Sequence, residues 1–361
     1  MLQLKEVKRN MIAGPAIQNF NFFIQWHLTE RCNLRCRHCY QHRASAAEMT
    51  ADEVMREIDG ATEMFRAWTS EEHIHVTPSI HFTGGEPLLH KGLWDILAYA
   101  VSQGYRVALM TNGCLITGED AERLRDLGVF DIQVSLEGPA ALHDGIRGRG
   151  SFAAASRGVK RLVHAGNTVS INVTLSRLNA ALIDETVGLA RDLGVRAIGF
   201  SRLVPCGAGE SMLDHFLTAD EVRRAYERVR ALDGPEMEVV SGDPLYGTLS
   251  GNVPAAGCGL TLSGCSAGFS GVTITSDGAV MACRRIGIRA GCLREKSLRE
   301  IWADSALLWR LRRRESYRGK CGACALWPSC RGCRAVAYAY TRAKDMPDLF
   351  ADDPQCWHIS S

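Results

Sequence analysis

The sequence predicts an α/β protein: an open parallel barrel of six β/α units, followed by a small cysteine-rich module with a β-hairpin and short helices. Three observations predict it. Strand-like apolar runs alternate with helical periods from residue 22 to residue 232. Polar and glycine-rich turns follow the strands, at Thr83-Gly84-Gly85-Glu86, Thr111-Asn112-Gly113 and Ser135-Leu136-Glu137-Gly138, which is where barrel sites gather. Nine of the 14 cysteines fall beyond residue 257. Periodicity alone also allows a flat, doubly wound sheet.

The elements follow in order. Residues 22–28 form a strand that ends in a cysteine-bearing loop. Thr50-Ala51-Asp52-Glu53 is a capping box and opens a helix over 50–67. Strands are expected at 79–85, 105–111, 130–136, 168–175 and 196–203, and helices at 91–103, 117–127, 151–165, 180–193 and 218–232. Consecutive units with right-handed crossovers make a parallel sheet. Residues 233–257 are rich in Gly and Pro and read as a bridge. Ser276-Asp277-Gly278 lies between apolar runs 272–275 and 279–282, a hairpin signal. The expected division is an N-terminal extension (1–21), the barrel (22–232), the bridge (233–257) and the cysteine-rich module (258–361).

Composition removes several classes of function. Apolar residues make up 46% and charged residues 23%, enough for a large core and a poor fit to disorder. Lys and Arg number 42 against 40 Asp and Glu, a net charge of +2, so nothing recommends nucleic acid as a partner. No apolar run has the length of a membrane span, and the N-terminus lacks the apolar stretch of a signal peptide. A cytoplasmic place is expected. There the thiols stay reduced, so this many cysteines point to metal rather than disulfides.

Cys32, Cys36 and Cys39 place three thiolates within eight residues on one loop. Soft sulfur ligands suit zinc or iron–sulfur clusters. A closed zinc site wants four ligands, and three cysteines on a four-iron cube leave one iron for a ligand from outside the chain. Zinc with a distant fourth ligand, or buried thiols, stay as the plainer alternatives. The second group comprises Cys258, Cys265, Cys283, Cys321, Cys324, Cys330, Cys333 and Cys356, with Cys292 as the odd one. The four-cysteine run from Cys321 to Cys333 would, alone, also suit a zinc ribbon.

The first loop closely resembles the signature of the radical S-adenosylmethionine superfamily, three cysteines spaced C-x3-C-x2-C directly after the first barrel strand, with His38 at the aromatic position. Further matches follow in chain order. Gly84-Gly85-Glu86-Pro87 resembles the family's turn for the methionyl amino group. Ser135 and Glu137 resemble its cofactor-contact strand, and the segment from His143 to Phe152 resembles the one that carries a cofactor-contacting arginine, here Arg147. The C-terminal cysteines resemble the SPASM extension of that superfamily. The resemblance implies a partial (β/α)6 TIM-like barrel, S-adenosylmethionine as cofactor and three [4Fe–4S] clusters. One cluster would sit on Cys32, Cys36 and Cys39, an auxiliary one on Cys258, Cys265, Cys283 and Cys333, and a second auxiliary one on Cys321, Cys324, Cys330 and Cys356. The last gap of the four-cysteine run is two residues here, where the family pattern has three.

The function implied is reductive cleavage of S-adenosylmethionine to a 5′-deoxyadenosyl radical that takes a hydrogen atom from an unactivated carbon. Relatives of this architecture mostly modify peptides or protein side chains, and a minority modify tetrapyrroles. Peptide maturation is therefore the first expectation and tetrapyrrole modification the second. A non-catalytic, zinc-stabilised binding protein is the expectation from another class. Sulfatase-maturing relatives carry an aspartate just after the cysteine matching Cys283; Arg284 and Arg285 follow here, which disfavours that reaction. Those two arginines and Arg202 suit a substrate carboxylate, against the plainer reading of a surface or structural ion pair. Cys206, at the exit of the sixth strand, is a candidate thiol near the radical or a packing residue. An electron donor such as flavodoxin or ferredoxin is expected as a partner.

Overall fold

A computed structural model describes residues 19–41, 47–249 and 264–358. Strand β1 (Asn19–His27) leads to helix α1 (Ala51–Glu72), β2 (His75–Thr83), α2 (Leu93–Ser102), β3 (Arg106–Thr111), α3 (Gly118–Asp126) and β4 (Asp131–Ser135). Two helices follow, α4 (Ala140–Arg147) and α5 (Ser151–His164), then β5 (Val169–Leu175), α6 (Ile183–Asp192), β6 (Ala197–Arg202), α7 (Ala219–Leu232) and a short β7 (Glu238–Val240). Strands β1 to β7 pair side by side and parallel. The six expected β/α units are all present. The reading is extended in two places: α4 lies between the fourth strand and the expected helix, and the segment read as a bridge contributes a seventh strand.

Local chemistry explains where the helices begin. Thr50 Oγ1 accepts from the Glu53 N–H at 3.2 Å while Glu53 Oε2 accepts from the Thr50 N–H at 2.7 Å, the reciprocal box expected from sequence. The same device opens α3 at Thr117 and Asp120, and α7 at Thr218 and Glu221.

The sheet curls. Strands β1 and β6 are separated by four others, which in a flat sheet would hold them about 24 Å apart at about 4.8 Å per strand. Yet the Gly209 N–H, beyond β6, donates to the Cys39 carbonyl, beyond β1, at 3.3 Å. Side chains alternate accordingly. Phe22, Ile24 and Trp26 are buried on the helix-covered face, with the Phe22 ring 5.1 Å from that of Phe65 in α1. Phe23, Gln25 and His27 occupy the other, concave face. That face is polar for an interior: Gln25 Oε1 accepts from Thr273 Oγ1 at 3.5 Å, Asp131 Oδ2 from Ser170 Oγ at 2.8 Å, and Asn172 Oδ1 from Ser201 Oγ at 3.0 Å.

The C-terminal segment joins the same sheet. The expected hairpin forms as β8 (Gly271–Ile274) and β9 (Ala279–Met281), followed by β10 (Arg289–Cys292). β8 pairs parallel with β1, so the order is β10-β9-β8-β1-β2-β3-β4-β5-β6-β7. Helices α8 (Leu298–Asp304), α9 (Ala306–Arg312), α10 (Gly319–Ala323) and α11 (Arg334–Arg342) complete the chain. Trp302 of α8 packs its ring 4.9 Å from Phe22, so module and barrel share one core. Among the described residues no helix is long and apolar enough to cross a membrane.

Candidate active site

Cys32, Cys36 and Cys39 are half-buried free thiols on the loop after β1. Burial pushes Cys36 up to about 11; Arg147 opposes that, and the neighbouring Cys39 and Cys32 add to it. Burial likewise raises Cys32, with Cys39 contributing. The three thiols are thus electrostatic neighbours on one short loop.

The glycine turn after β2 is packed against that loop. The Gly85 N–H donates to the Thr29 carbonyl at 2.6 Å, and the Glu86 N–H to the Arg31 carbonyl at 2.8 Å. A Cβ on Gly85 would stand 2.1 Å from the Arg31 carbonyl oxygen and 2.9 Å from Cys32 Cβ. The pair of glycines therefore permits backbone to meet backbone, and it sets the height of Cys32. Gly85→Ala is expected to displace the cysteine loop, with an overpacking penalty of about 1–3 kcal/mol. Iron content and S-adenosylmethionine affinity should both drop. Gly118→Ala, where nothing lies within 4 Å of the added Cβ, should leave both unchanged. Equal behaviour of the two variants would contradict the role given to Gly85.

Glu86 is fully buried. Its Oε1 accepts from Thr111 Oγ1 at 2.7 Å and its Oε2 from the Asn112 N–H at 2.9 Å, so the carboxylate holds the turn after β3. Burial pushes Glu86 up to about 7 against these hydrogen bonds and the Arg147 charge. Asn112 Nδ2 in turn donates to Asn33 Oδ1 at 2.8 Å and lies 3.9 Å from Cys32 Sγ. Thr111-Asn112-Gly113, one of the polar turns that follow the strands, is thereby brought to the first cysteine.

A second carboxylate anchors the other side of the loop. Glu137 Oε1 accepts from Arg147 Nε at 2.8 Å and Nη2 at 2.6 Å, and lies 3.2 Å from His38 Nε2. Glu137 Oε2 accepts from the Thr174 N–H at 2.8 Å. Burial alone would raise this acid, but Arg147 and then His38 hold it well below the usual carboxylate range. Arg147 Nη1 reaches Cys36 Sγ at 3.9 Å. Helix α4, which ends on Arg147, is therefore what delivers the guanidinium to the loop. Ser135 is half-buried at the end of β4 opposite Asn172, and its hydroxyl makes no hydrogen bond among the described residues.

The C-terminal cysteines fall into two groups. Cys321, Cys324, Cys330 and Cys356 line one cavity. Cys265, Cys283 and Cys333 neighbour one another: Cys265 adds to the upward shift that burial imposes on Cys283 and on Cys333. Cys258 lies outside the described residues. The Cys265 N–H donates to the Cys330 carbonyl at 3.1 Å, which joins the two groups through backbone.

The three arginines part ways. Arg202 is buried and grips Asp353 with two hydrogen bonds at 2.9 and 2.8 Å, and Asp243 with another at 2.8 Å. It is an internal ion pair, the plainer of the two readings, and is not free to meet a substrate carboxylate. Arg284 pairs with both oxygens of Glu30 at 2.8 Å. Arg285 lies with its Cζ 5.6 Å from the Tyr40 ring and has no carboxylate partner among the described residues. Cys206 is buried beside Arg285 and Cys283, and burial pushes its thiol up to about 12. Cys114 sits near Glu86 and Cys32, its thiol directed at the Ser151 carbonyl at 3.6 Å. Cys292 is buried in β10.

These donor sets fit the groups that the resemblance implies. Three free thiols on one loop, flanked by a guanidinium, suit a cluster with one iron left for another ligand, and four thiols around a cavity suit a fully ligated one. The buried Glu86 carboxylate, short of a cationic partner, suits an ammonium close by. Among the described residues no three His, Cys, Asp or Glu side chains are drawn together for a single metal ion.

Known proteins agree with the architecture. The pattern of the Radical SAM superfamily matches residues 26–190, and that of the SPASM iron–sulfur cluster-binding domain matches residues 265–334. The AdoMet-dependent heme synthase of Methanosarcina barkeri is 33% identical, over 94% of this chain and 97% of that protein. The mycofactocin maturase MftC of Mycolicibacterium smegmatis is 30% identical, over 92% of this chain and 82% of that protein. The crystal structure of Streptococcus suis SuiB bound to S-adenosylmethionine superposes with a TM-score of 0.76 at 19% identity, over 98% of this chain and 80% of that one.

Proposed function

This chain belongs to the radical SAM superfamily, in its SPASM branch, and from that premise we propose that it modifies a side chain of a tetrapyrrole. As a radical SAM enzyme it uses S-adenosylmethionine and iron–sulfur clusters, and the expectation of a non-catalytic zinc protein falls away. The observation that carries the substrate reading is the likeness to a heme synthase over 94% of this chain and 97% of that protein.

Our reading assigns the first cluster to Cys32, Cys36 and Cys39, and auxiliary clusters to Cys258, Cys265, Cys283 and Cys333 and to Cys321, Cys324, Cys330 and Cys356. When bound, the first cluster and S-adenosylmethionine supply a 5′-deoxyadenosyl radical that takes a hydrogen atom from the substrate. The residues of the chain orient and shield. Gly84 and Gly85 hold the cysteine loop at its height, and Glu86 faces the methionyl ammonium with its charge. Glu137 keeps Arg147 and His38 in place beside Cys36, and Ser135 closes the concave face next to them. The polar interior of the barrel, from Gln25 to Asn172 and Ser201, receives the substrate and excludes bulk water. A flavodoxin- or ferredoxin-type donor supplies the electron.

Peptide maturation is the second reading, favoured by the likeness to a mycofactocin maturase over most of its length. The test is anaerobic turnover of the reduced holoenzyme with S-adenosylmethionine and iron coproporphyrin III, the tetrapyrrole named in a 32% identical relative, the Fe-coproporphyrin III synthase of Methanosarcina barkeri. We expect formation of 5′-deoxyadenosine to rise at least about tenfold over the substrate-free rate, with a matching mass change in the porphyrin. No stimulation by the porphyrin, together with stimulation by a peptide encoded next to the gene, would transfer the proposal to the second reading.

A further inference from the structure

We infer that His27, Tyr40 and Arg285 form a receptor for a carboxylate of the substrate, set between the first cysteine loop and the group of Cys265, Cys283 and Cys333. The inference rests on the tetrapyrrole reading for the source of the carboxylate and refines it, because it names the substrate group that is held.

Three polar side chains meet here without hydrogen-bond partners among the described residues. His27, at the end of β1 on the concave face, is fully buried, and neither ring nitrogen has a hydrogen-bond partner among the described residues. A buried polar group in that state carries a penalty of about 1–3 kcal/mol, so it marks a place where something else binds. The Tyr40 ring stands edge-on to His27 at 6.0 Å, and its hydroxyl makes no hydrogen bond among the described residues. Arg285 approaches the same ring, its Cζ 5.6 Å from the centroid.

The neighbours sharpen the chemistry. Arg284, next in sequence, is neutralised by Glu30, whereas Arg285 is a half-buried guanidinium with no carboxylate in reach among the described residues. A buried cation without a counter-ion is costly, and a planar fork of donors matches a carboxylate. Burial, then Arg284 and Arg285, keep His27 well below the usual histidine range, so its imidazole is neutral and has an N–H to donate. The Tyr40 phenol, its hydroxyl unpaired among the described residues, offers an O–H donor as well. All three groups thus present donors, and among the described residues the acid near them, Glu30, is already paired with Arg284.

The position fits a substrate rather than a fold-stabilising ion. Tyr40 directly follows Cys39 and feels both Cys39 and Cys283, while Arg285 feels Cys283, Cys333 and the Cys206 thiol. A carboxylate held here lies between the loop where the radical originates and the neighbouring cysteine group. The rival role is that Arg285 only balances the charge of the thiolates near it.

The test measures binding of iron coproporphyrin III and of its methyl ester to the anaerobic holoenzyme, followed by the porphyrin absorbance change. The wild type should prefer the free acid at least about tenfold. Arg285→Ala and His27→Phe should remove that preference by weakening the acid alone, and Arg285→Lys should restore part of it. If acid and ester bind alike to the wild type, the receptor is overturned while the tetrapyrrole reading stands. Equal losses for acid and ester in Arg285→Ala, with altered electron-resonance signals of the auxiliary clusters, favour the rival and also overturn it. If neither porphyrin binds, a pool of short acidic peptides with free C-termini is compared with the same pool amidated. An Arg285-dependent preference for the free pool keeps the receptor and removes the tetrapyrrole reading; no preference removes both.

Discussion

Replacing Cys36 by alanine is expected to abolish reductive cleavage of S-adenosylmethionine and to leave the rest of the protein intact. Of the three thiols on the loop after β1, Cys36 is the one beside the fixed guanidinium: Arg147 reaches its sulfur at 3.9 Å, and Arg147 is itself locked by Glu137. The loop has no fourth cysteine. The thiol of Cys114, a neighbour of Cys32, is turned toward the Ser151 carbonyl. Two thiolates do not retain a four-iron cube against loss of its third ligand. On the proposal of three such clusters, iron should fall from about 12 to about 8 per chain. Formation of 5′-deoxyadenosine should fall to background. The auxiliary groups lie on other elements, so their spectra should persist. Cleavage that survives in Cys36→Ala would show that the loop does not carry the cluster that acts on S-adenosylmethionine.

What could be read from the sequence divides by range of interaction. The six parallel strands were legible because each buries Val, Ile, Leu or Phe at a period that survives without neighbours, and because capping boxes such as Thr218 with Glu221 are local. Helix α4 was missed because eight residues give too few turns for a period, although Gly148 just past its end was a stop signal. β7 has three residues and exists because the edge of β6 offers it a ladder. The pairing of β8 with β1 joins residues almost 250 apart in sequence, which no local pattern encodes.

The site divides in the same way. Cysteine spacing pointed to metal but cannot dictate grouping. The grouping of Cys321, Cys324, Cys330 and Cys356 came from the resemblance, and the structure places those four around one cavity. Glu86 was legible as a buried acid near a ligand. Its second task, holding Thr111 and Asn112, depends on a neighbouring strand. The sequence left Arg202 open between an ion pair and a substrate ligand because its partners Asp243 and Asp353 lie 41 and 151 residues further along the chain. His27 gave no signal, since a histidine closing an apolar strand reads as core.

The second large effect is expected at that hidden pair. Arg202 and Asp353 are both essentially inaccessible to solvent, so each charge persists only because of its partners. Asp353 also accepts from the Cys333 N–H at 2.8 Å and the Gln355 N–H at 3.0 Å, and Gln355 Nε2 donates to the Leu217 carbonyl at 2.8 Å. One ion pair thus ties the end of β6 to the segment that carries Cys356 and to the start of α11 beside Cys333. Arg202→Leu removes the cation and leaves Asp353 and Asp243 facing each other in the interior, at an expected loss of about 3–5 kcal/mol. The deficit has a predictable pH dependence. In the wild type Asp353 sits below its ordinary range: burial alone would raise it, and Arg202 overrides burial. Its stabilising contribution is therefore complete above about pH 4 and is lost only as pH falls through the lowered value. In Arg202→Leu burial is opposed only by the Cys333 and Gln355 N–H donors and no longer by a cation, so the acid rises, and the variant is stabilised by protonation and loses stability as pH rises through that raised value. The gap in melting temperature between wild type and variant should be widest at neutral pH and should narrow toward pH ~4. Changing Arg202 and Asp353 together to leucine and asparagine should recover part of the loss, since one uncompensated charge is removed. A gap that does not change with pH would mean that the two side chains contribute by packing rather than by charge.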